Sequence, residues 1–160
     1  MYLPFEQIAD TARIWIYQSN RAFTAAEQAD ILKRSEAFIS EWTAHGSKLS
    51  SSVAVYHHQF LVMAVNEEAG LASGCSIDSA VRFIKSLEPA FGLNFFDRSQ
   101  VAFFVNDQIV LMPLQKIKEK VAEGHIQENT RVFNNLIGNK TELQSQWLIP
   151  AKDSWLKKYF

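Results

Sequence analysis

Val53-Ala54-Val55-Tyr56-His57-His58-Gln59-Phe60-Leu61-Val62-Met63-Ala64-Val65-Asn66 decides the architecture. Two short runs, Val53 to His57 and Phe60 to Asn66, are rich in β-branched and apolar residues and have very few residues between them. Parallel neighbours need a crossover of a dozen residues or more, so these two strands are expected to meet as an antiparallel hairpin. His57-His58-Gln59 is not a typical turn sequence, since it offers neither Gly nor Asn. Val101 to Val105 and Ile109 to Met112 repeat the pattern around Asn106-Asp107-Gln108. Consecutive hairpins interleaved with helices give an α+β protein rather than a doubly wound parallel sheet.

Working outward, Ala12-Arg13-Ile14-Trp15-Ile16-Tyr17-Gln18 reads as a strand whose two alternating faces are both apolar. Thr24 and Glu27 form a capping box ahead of Ile31, Ser35, Phe38 and Trp42, a stripe at helical spacing flanked by Leu32 and Ile39. Gly46 is the expected stop of that helix. After the loop Glu67 to Gly74, the residues Ala80, Ile84, Leu87 and Phe91 mark a second helix. Pro89 is expected to end or kink it, and Gly92 to close the segment. Past Pro113, the residues Leu114, Ile117 and Val121 predict a short helix ending at Gly124. Thr130 to Phe133 and Trp147 to Ile149 are the last strands, with Pro150 as terminator. The order is βαββα followed by ββαββ, with expected boundaries at 1–98 and 99–160. A single ferredoxin-like βαββαβ sandwich with a C-terminal extension is the alternative.

The 160 residues carry 16 Lys plus Arg against 17 Asp plus Glu. A near-zero net charge argues against nucleic-acid binding, which draws on a basic field. Residues 1–80 hold 5 basic and 9 acidic residues, and residues 81–160 hold 11 and 8, an asymmetry that a mixed solvated surface explains. With 12 Phe, 4 Tyr and 4 Trp, the chain has ample material for a core. The single cysteine, Cys75, precludes an internal disulfide framework and fits a reducing compartment. Met1-Tyr2-Leu3-Pro4-Phe5-Glu6 has no basic n-region, and Phe60 to Val65, the longest apolar run, is far short of the ~20 residues of a membrane span. A cytoplasmic protein without membrane insertion is expected.

The segments Pro113-Leu114-Gln115-Lys116-Ile117, Ala122-Glu123-Gly124-His125-Ile126, Asn129-Thr130-Arg131-Val132-Phe133 and Trp147-Leu148-Ile149-Pro150-Ala151 together resemble a bacterial GYF-like domain. Leu111-Met112 stands where that family's turn glycine would be, Phe133 replaces its usual Trp, and Ile137 to Gln146 resembles an insertion. The resemblance implies a small ββαββ unit and recognition of proline-rich peptides on an aromatic surface. The whole chain is similar to an uncharacterised bacterial family often labelled ABC transporter ATPase. That similarity is carried by Ala12 to Tyr17, Ala72 to Asp78, Phe95-Phe96-Asp97-Arg98 and Val132-Phe133-Asn134-Asn135. A phosphate-cradling loop needs G-x-x-x-x-G-K-[ST], and the nearest approach, Gly138-Asn139-Lys140-Thr141, lacks the glycine before its lysine. ATP hydrolysis is not expected.

Cys75, at the expected start of the second helix with Ser76 or Asp78 as N-cap, is the candidate nucleophile. The helix dipole would favour its thiolate, and His45, His57, His58 or His125 would serve as base. A nearby Asp78 would act the other way. The alternative is a small buried residue at a helix–sheet junction. Backbone amides around Ser73, Gly74, Ser76 and Asp78 form a generic anion-binding helix start, set against an ordinary capped one. Asn134 and Asn135 are candidate ligand-binding amides or turn formers. Asp97-Arg98 is read as a structural ion pair. Adjacent strand residues such as His57 and His58 point to opposite faces, so no metal site is expected, and no cofactor. Trp147, Trp155, Tyr159 and Phe160 either form a docking surface or pin the C-terminal segment. No complete catalytic set emerges. The expected function is a non-enzymatic module engaging a protein or peptide partner, with a thiol-dependent enzyme or redox-responsive protein using Cys75 as the alternative.

Overall fold

In a computed structural model describing all 160 residues, the chain divides into two units. Unit 1 comprises Met1–Phe96 together with Gly138–Thr141, and unit 2 comprises Asp97–Ile137 and Glu142–Phe160. Unit 1 contains β1 (Arg13–Gln18), α1 (Ala25–Glu41), β2 (Thr43–Ala44), β3 (Ser47–Lys48), β4 (Ser51–Tyr56), β5 (Phe60–Val65) and α2 (Gly74–Phe91). Unit 2 contains β6 (Gln100–Val105), β7 (Gln108–Pro113), α3 (Ile117–Ala122), β8 (Arg131–Phe133) and β9 (Leu148–Pro150), while α4 (Lys140–Ser145) begins on the last two residues of unit 1. The protein is α+β, and every ladder within its sheets is antiparallel.

The sheet of unit 1 has the order β1-β5-β4. Its middle strand, β5, is uncharged, and all six of its side chains are 0 % exposed. Leu61, Met63 and Val65 join Ile31 and Ile39 of α1 and Ala80, Ile84 and Leu87 of α2 in one hydrophobic cluster. The hairpin loop is His57-His58-Gln59, with both histidines left-handed (φ 52° and 55°). Tertiary hydrogen bonds impose that backbone. Phe23 N donates to His58 O at 2.7 Å, Gln59 Nε2 donates to Ser19 O at 3.0 Å, and His58 Nδ1 lies 2.8 Å from Gln28 Oε1. The ferredoxin-like alternative is not what forms, because its fourth strand, β6, belongs to a separate sheet of order β7-β6-β8-β9.

The capping box of α1 is present: Glu27 N donates to Thr24 Oγ1 and Thr24 N donates to Glu27 Oε1. The helix stops at Glu41, earlier than the glycine suggests. Trp42 turns into the core, donating its indole N–H to Ser76 O at 2.8 Å, and Gly46 (φ 80°) instead makes the tight turn between β2 and β3. Pro89 neither ends nor delays α2; it sits in the last turn before the left-handed cap Gly92.

The edge of β1 is closed by a distant part of the chain. Ile14 N donates to Gly138 O and Lys140 N to Ala12 O, each at 3.0 Å. Thr141 donates to Asp10 O through both its amide and its hydroxyl. Lys140 is only 5 % exposed. Its ammonium donates to Ile8 O at 2.8 Å, lies 3.6 Å from the Asp10 carboxylate and sits over the Phe5 ring. A buried cation needs such partners, and here backbone carbonyls supply most of them. The lysine nearest to a phosphate-loop position in the sequence therefore anchors this return of the chain.

In unit 2, Phe103 and Val132 of the sheet pack with Ile117, Ile126, Ala151 and Leu156. Asn106 and Asp107 form a two-residue turn, both at positive φ, one residue shorter than the sequence pattern suggests.

Two predictions follow from unit 1. Lys140→Met leaves the Ile8 carbonyl without its charged donor and should cost about 2 kcal/mol in urea unfolding; a loss below about 0.5 kcal/mol would make the clasp dispensable. The Arg21 guanidinium, then the Thr24 amide, hold the Glu27 carboxyl down from its ordinary 4.5 to about 2. A depressed carboxyl stabilises the fold above its unfolded pKa, and that contribution is lost as pH falls through the folded value. The stability difference between the wild type and Glu27→Gln should therefore be constant above about pH 5 and shrink between pH 4.5 and 2. Thermal melts across that range test it.

Candidate functional site

The start of α2 is capped by Ser73, not by Ser76 or Asp78. Ser76 N donates to Ser73 Oγ at 3.1 Å, and Ser73 N donates to Ser76 Oγ at 2.7 Å. The Ser76 hydroxyl in turn donates to Ser73 O at 2.8 Å, and Ser76 is buried. Ser can take the third helical position of a capping box in place of Glu or Gln because its hydroxyl both accepts and donates at short range. Both serine hydroxyls are thus engaged in closing the helix end. Gly74 and Cys75 follow as the first two helical residues, and Asp78 lies one turn further on, exposed.

Cys75 is exposed and does not fill a helix–sheet junction. No hydrogen bond reaches its thiol. Two histidines have partners elsewhere: His58 on Gln28, and His125 on the Glu123 carboxylate at 3.0 Å. The expected Cys/His pair is not assembled. No group of three or more His, Cys, Asp and Glu side chains converges as a metal site would require.

Asn134 and Asn135 belong to unit 2, where they directly follow β8. Asn134 N donates to Trp147 O, and Asn134 Oδ1 accepts from Leu136 N at 3.3 Å. Asn135 Oδ1 accepts from the indole N–H of Trp147 at 2.9 Å. Trp147 is buried and packs on Phe133 at 5.1 Å, with Phe104 beyond it at 5.8 Å from Phe133. Both asparagines are thereby tied to an aromatic core residue. Asp97 accepts from Ser99 N at 2.9 Å, and bonds from Ser99 hold its carboxyl below the ordinary range.

The C-terminal aromatics divide. Leu156 and Ala151 anchor the segment in the core of unit 2, with Tyr159 packed against it, whereas Trp155 and Phe160 remain exposed. With them, Val105, Val110, Leu114 and Leu136 make up six of the eight large hydrophobic residues that face solvent in the whole chain. Val105, Val110 and Leu114 lie on or next to the β6–β7 hairpin. Sequence reading passed over this hairpin as a site, although the complete absence of charge from Gln108-Ile109-Val110-Leu111-Met112-Pro113 was visible. No helix of the chain is long and apolar enough to cross a membrane. No protein-family model, curated protein or solved structure matches the chain.

Trp147→Phe removes the indole hydrogen bond to Asn135 and part of a buried ring, and should destabilise the fold by about 1–2 kcal/mol in urea unfolding. An unchanged midpoint would remove Asn135 from the structural account.

Proposed function

We propose that this protein is a non-enzymatic interaction module that engages a protein or extended peptide through unit 2. The observation that carries this reading is the concentration of solvent-facing large apolar side chains there: Val105, Val110, Leu114, Leu136, Trp155 and Phe160, against Met1 and Leu71 in unit 1. Large exposed apolar patches mark docking surfaces, and the strand register puts Val105 and Val110 on one face of the β6–β7 hairpin. The resemblance of the C-terminal third to GYF-like domains points the same way, with proline-rich segments as the ligand class it implies. A thiol-dependent reaction at Cys75 has less support: the thiol is exposed, but no base or orienting group meets it.

Selection from a displayed random peptide library against the full chain, followed by amide chemical-shift mapping with the enriched peptide, tests the reading. Shifts are expected to centre on Val105, Val110, Leu114 and Trp155, and a Leu114→Glu, Trp155→Glu variant should lose enrichment at least about tenfold, the scale of one hot spot. Shifts centred on Cys75 and the start of α2 would overturn it, as would enrichment indifferent to the two substitutions.

A further inference from the structure

The edges of the two main sheets are not equally protected. The β1 edge is closed by Gly138–Lys140. The start of β4 is closed by the N-terminal residues, with Leu3 N donating to Ser51 O at 2.8 Å and Tyr2 bridging Ser51. The outer strand β9 has three residues and ends in Pro150. Covering, shortness and proline are the usual ways in which proteins keep sheet edges from pairing. β7 has none of them along most of its length: it runs for six residues, pairs only with β6, and carries no charge to repel a neighbour.

The hairpin fixes which way its backbone points. In a two-residue hairpin the flanking pair, Val105 and Gln108, exchanges both hydrogen bonds, and bonded pairs then alternate. Phe103–Val110 and Val101–Met112 follow in that class, and Leu114 N donating to Ser99 O continues the alternation. Ile109 and Leu111 therefore turn their N–H and C=O groups outward. Pro113 falls in the outward class too, where it has no N–H to offer, so the available edge ends there.

We infer that β7 pairs antiparallel with β7 of a second copy of this chain, across a two-fold axis at Val110, so that the two four-stranded sheets become one. Ile109 of each copy then faces Leu111 of the other, and each such pair exchanges both backbone bonds. Val110, 41 % exposed, meets its own equivalent across a non-hydrogen-bonded position and becomes covered. Charge selects this arrangement. Asp107 stands at one end of β7; beyond the other lie Lys116, 3.5 Å from the Glu119 carboxylate, and Lys118, which leaves that end net positive. Antiparallel pairing brings unlike ends together twice, whereas parallel pairing would align like with like. The uncharged strand between them sets no charge against its own copy. The inference rests on the preceding reading only in locating the contact on unit 2, and it names the partner.

Sedimentation equilibrium of the full chain up to about 1 mM, the weak limit of specific association, is the first test. The mass should rise with concentration toward twice the 18.2 kDa of one chain. Val110→Lys sets two ammonium groups against each other on the axis and should weaken the dimer by about 100-fold, with an unchanged circular dichroism spectrum. Asp107→Lys should weaken it, and Asp107→Lys combined with Lys116→Asp should restore it. In a Cys75→Ser background, Val110→Cys should form a disulfide-linked dimer with oxidised glutathione, because a non-hydrogen-bonded pair at about 4.5 Å suits a disulfide. Gln115→Cys, away from the axis, should not.

A chain monomeric at every concentration overturns the inference, as does a dimer unaffected by Val110→Lys. A monomer whose β7 is occupied by a library-selected peptide also overturns it, but leaves the reading of unit 2 as a docking unit standing. A monomer that enriches no peptide overturns both.

Discussion

β5 has no side facing water. Residues Phe60–Val65 are buried on both faces, so neither solvent nor a side chain can satisfy their backbone, and a strand must lie on each side. β1 and β4 meet that requirement. The hairpin joining β4 to β5 is made by two left-handed histidines, a costly conformation that persists only because surrounding hydrogen bonds determine it. With β5 central, α1 and α2 cover the face bearing Leu61, Met63 and Val65. The need then moves outward to β1, whose own edge is met by residues more than 120 positions away in sequence.

Local physics was legible in the sequence. The Thr24–Glu27 capping box and the hairpin of β4 and β5 depend on residues close together along the chain, and they form where the residues say. The end of α1 was harder to read, because Trp42 is drawn inward by the distant Ser76 carbonyl, a tertiary pull that overrides the glycine signal at Gly46. Ser73 was overlooked as the cap of α2 because a serine at the third position is a less familiar partner than glutamate. The role of Lys140 had no local signal at all: nothing around Gly138-Asn139-Lys140-Thr141 indicates that its ammonium meets the carbonyl of Ile8.

Candidate sites show the same division. Composition and spacing single out Cys75, but whether a thiol has a base depends on which loops fold beside it, and spacing along the chain does not encode that. Asn134 and Asn135 were readable both as ligands and as turn formers, and Asn135 Oδ1 accepts from the indole of Trp147. The uncharged run of β7 was on view as a composition. Its meaning needed the sheet order, in which no strand other than β6 pairs with it.

The closure of β1 by Gly138–Lys140 has a consequence for how the protein is made. Chains emerge from the ribosome N-terminus first, and their domains usually fold as they appear. Unit 1 cannot do so in full. Its first 96 residues carry nearly all of its core, yet the edge of β1 stays open until residue 141 has emerged. Through that interval the nascent protein presents an unpaired strand that the finished molecule does not. The first strand of the fold is therefore completed only after β6, β7 and β8 have been made.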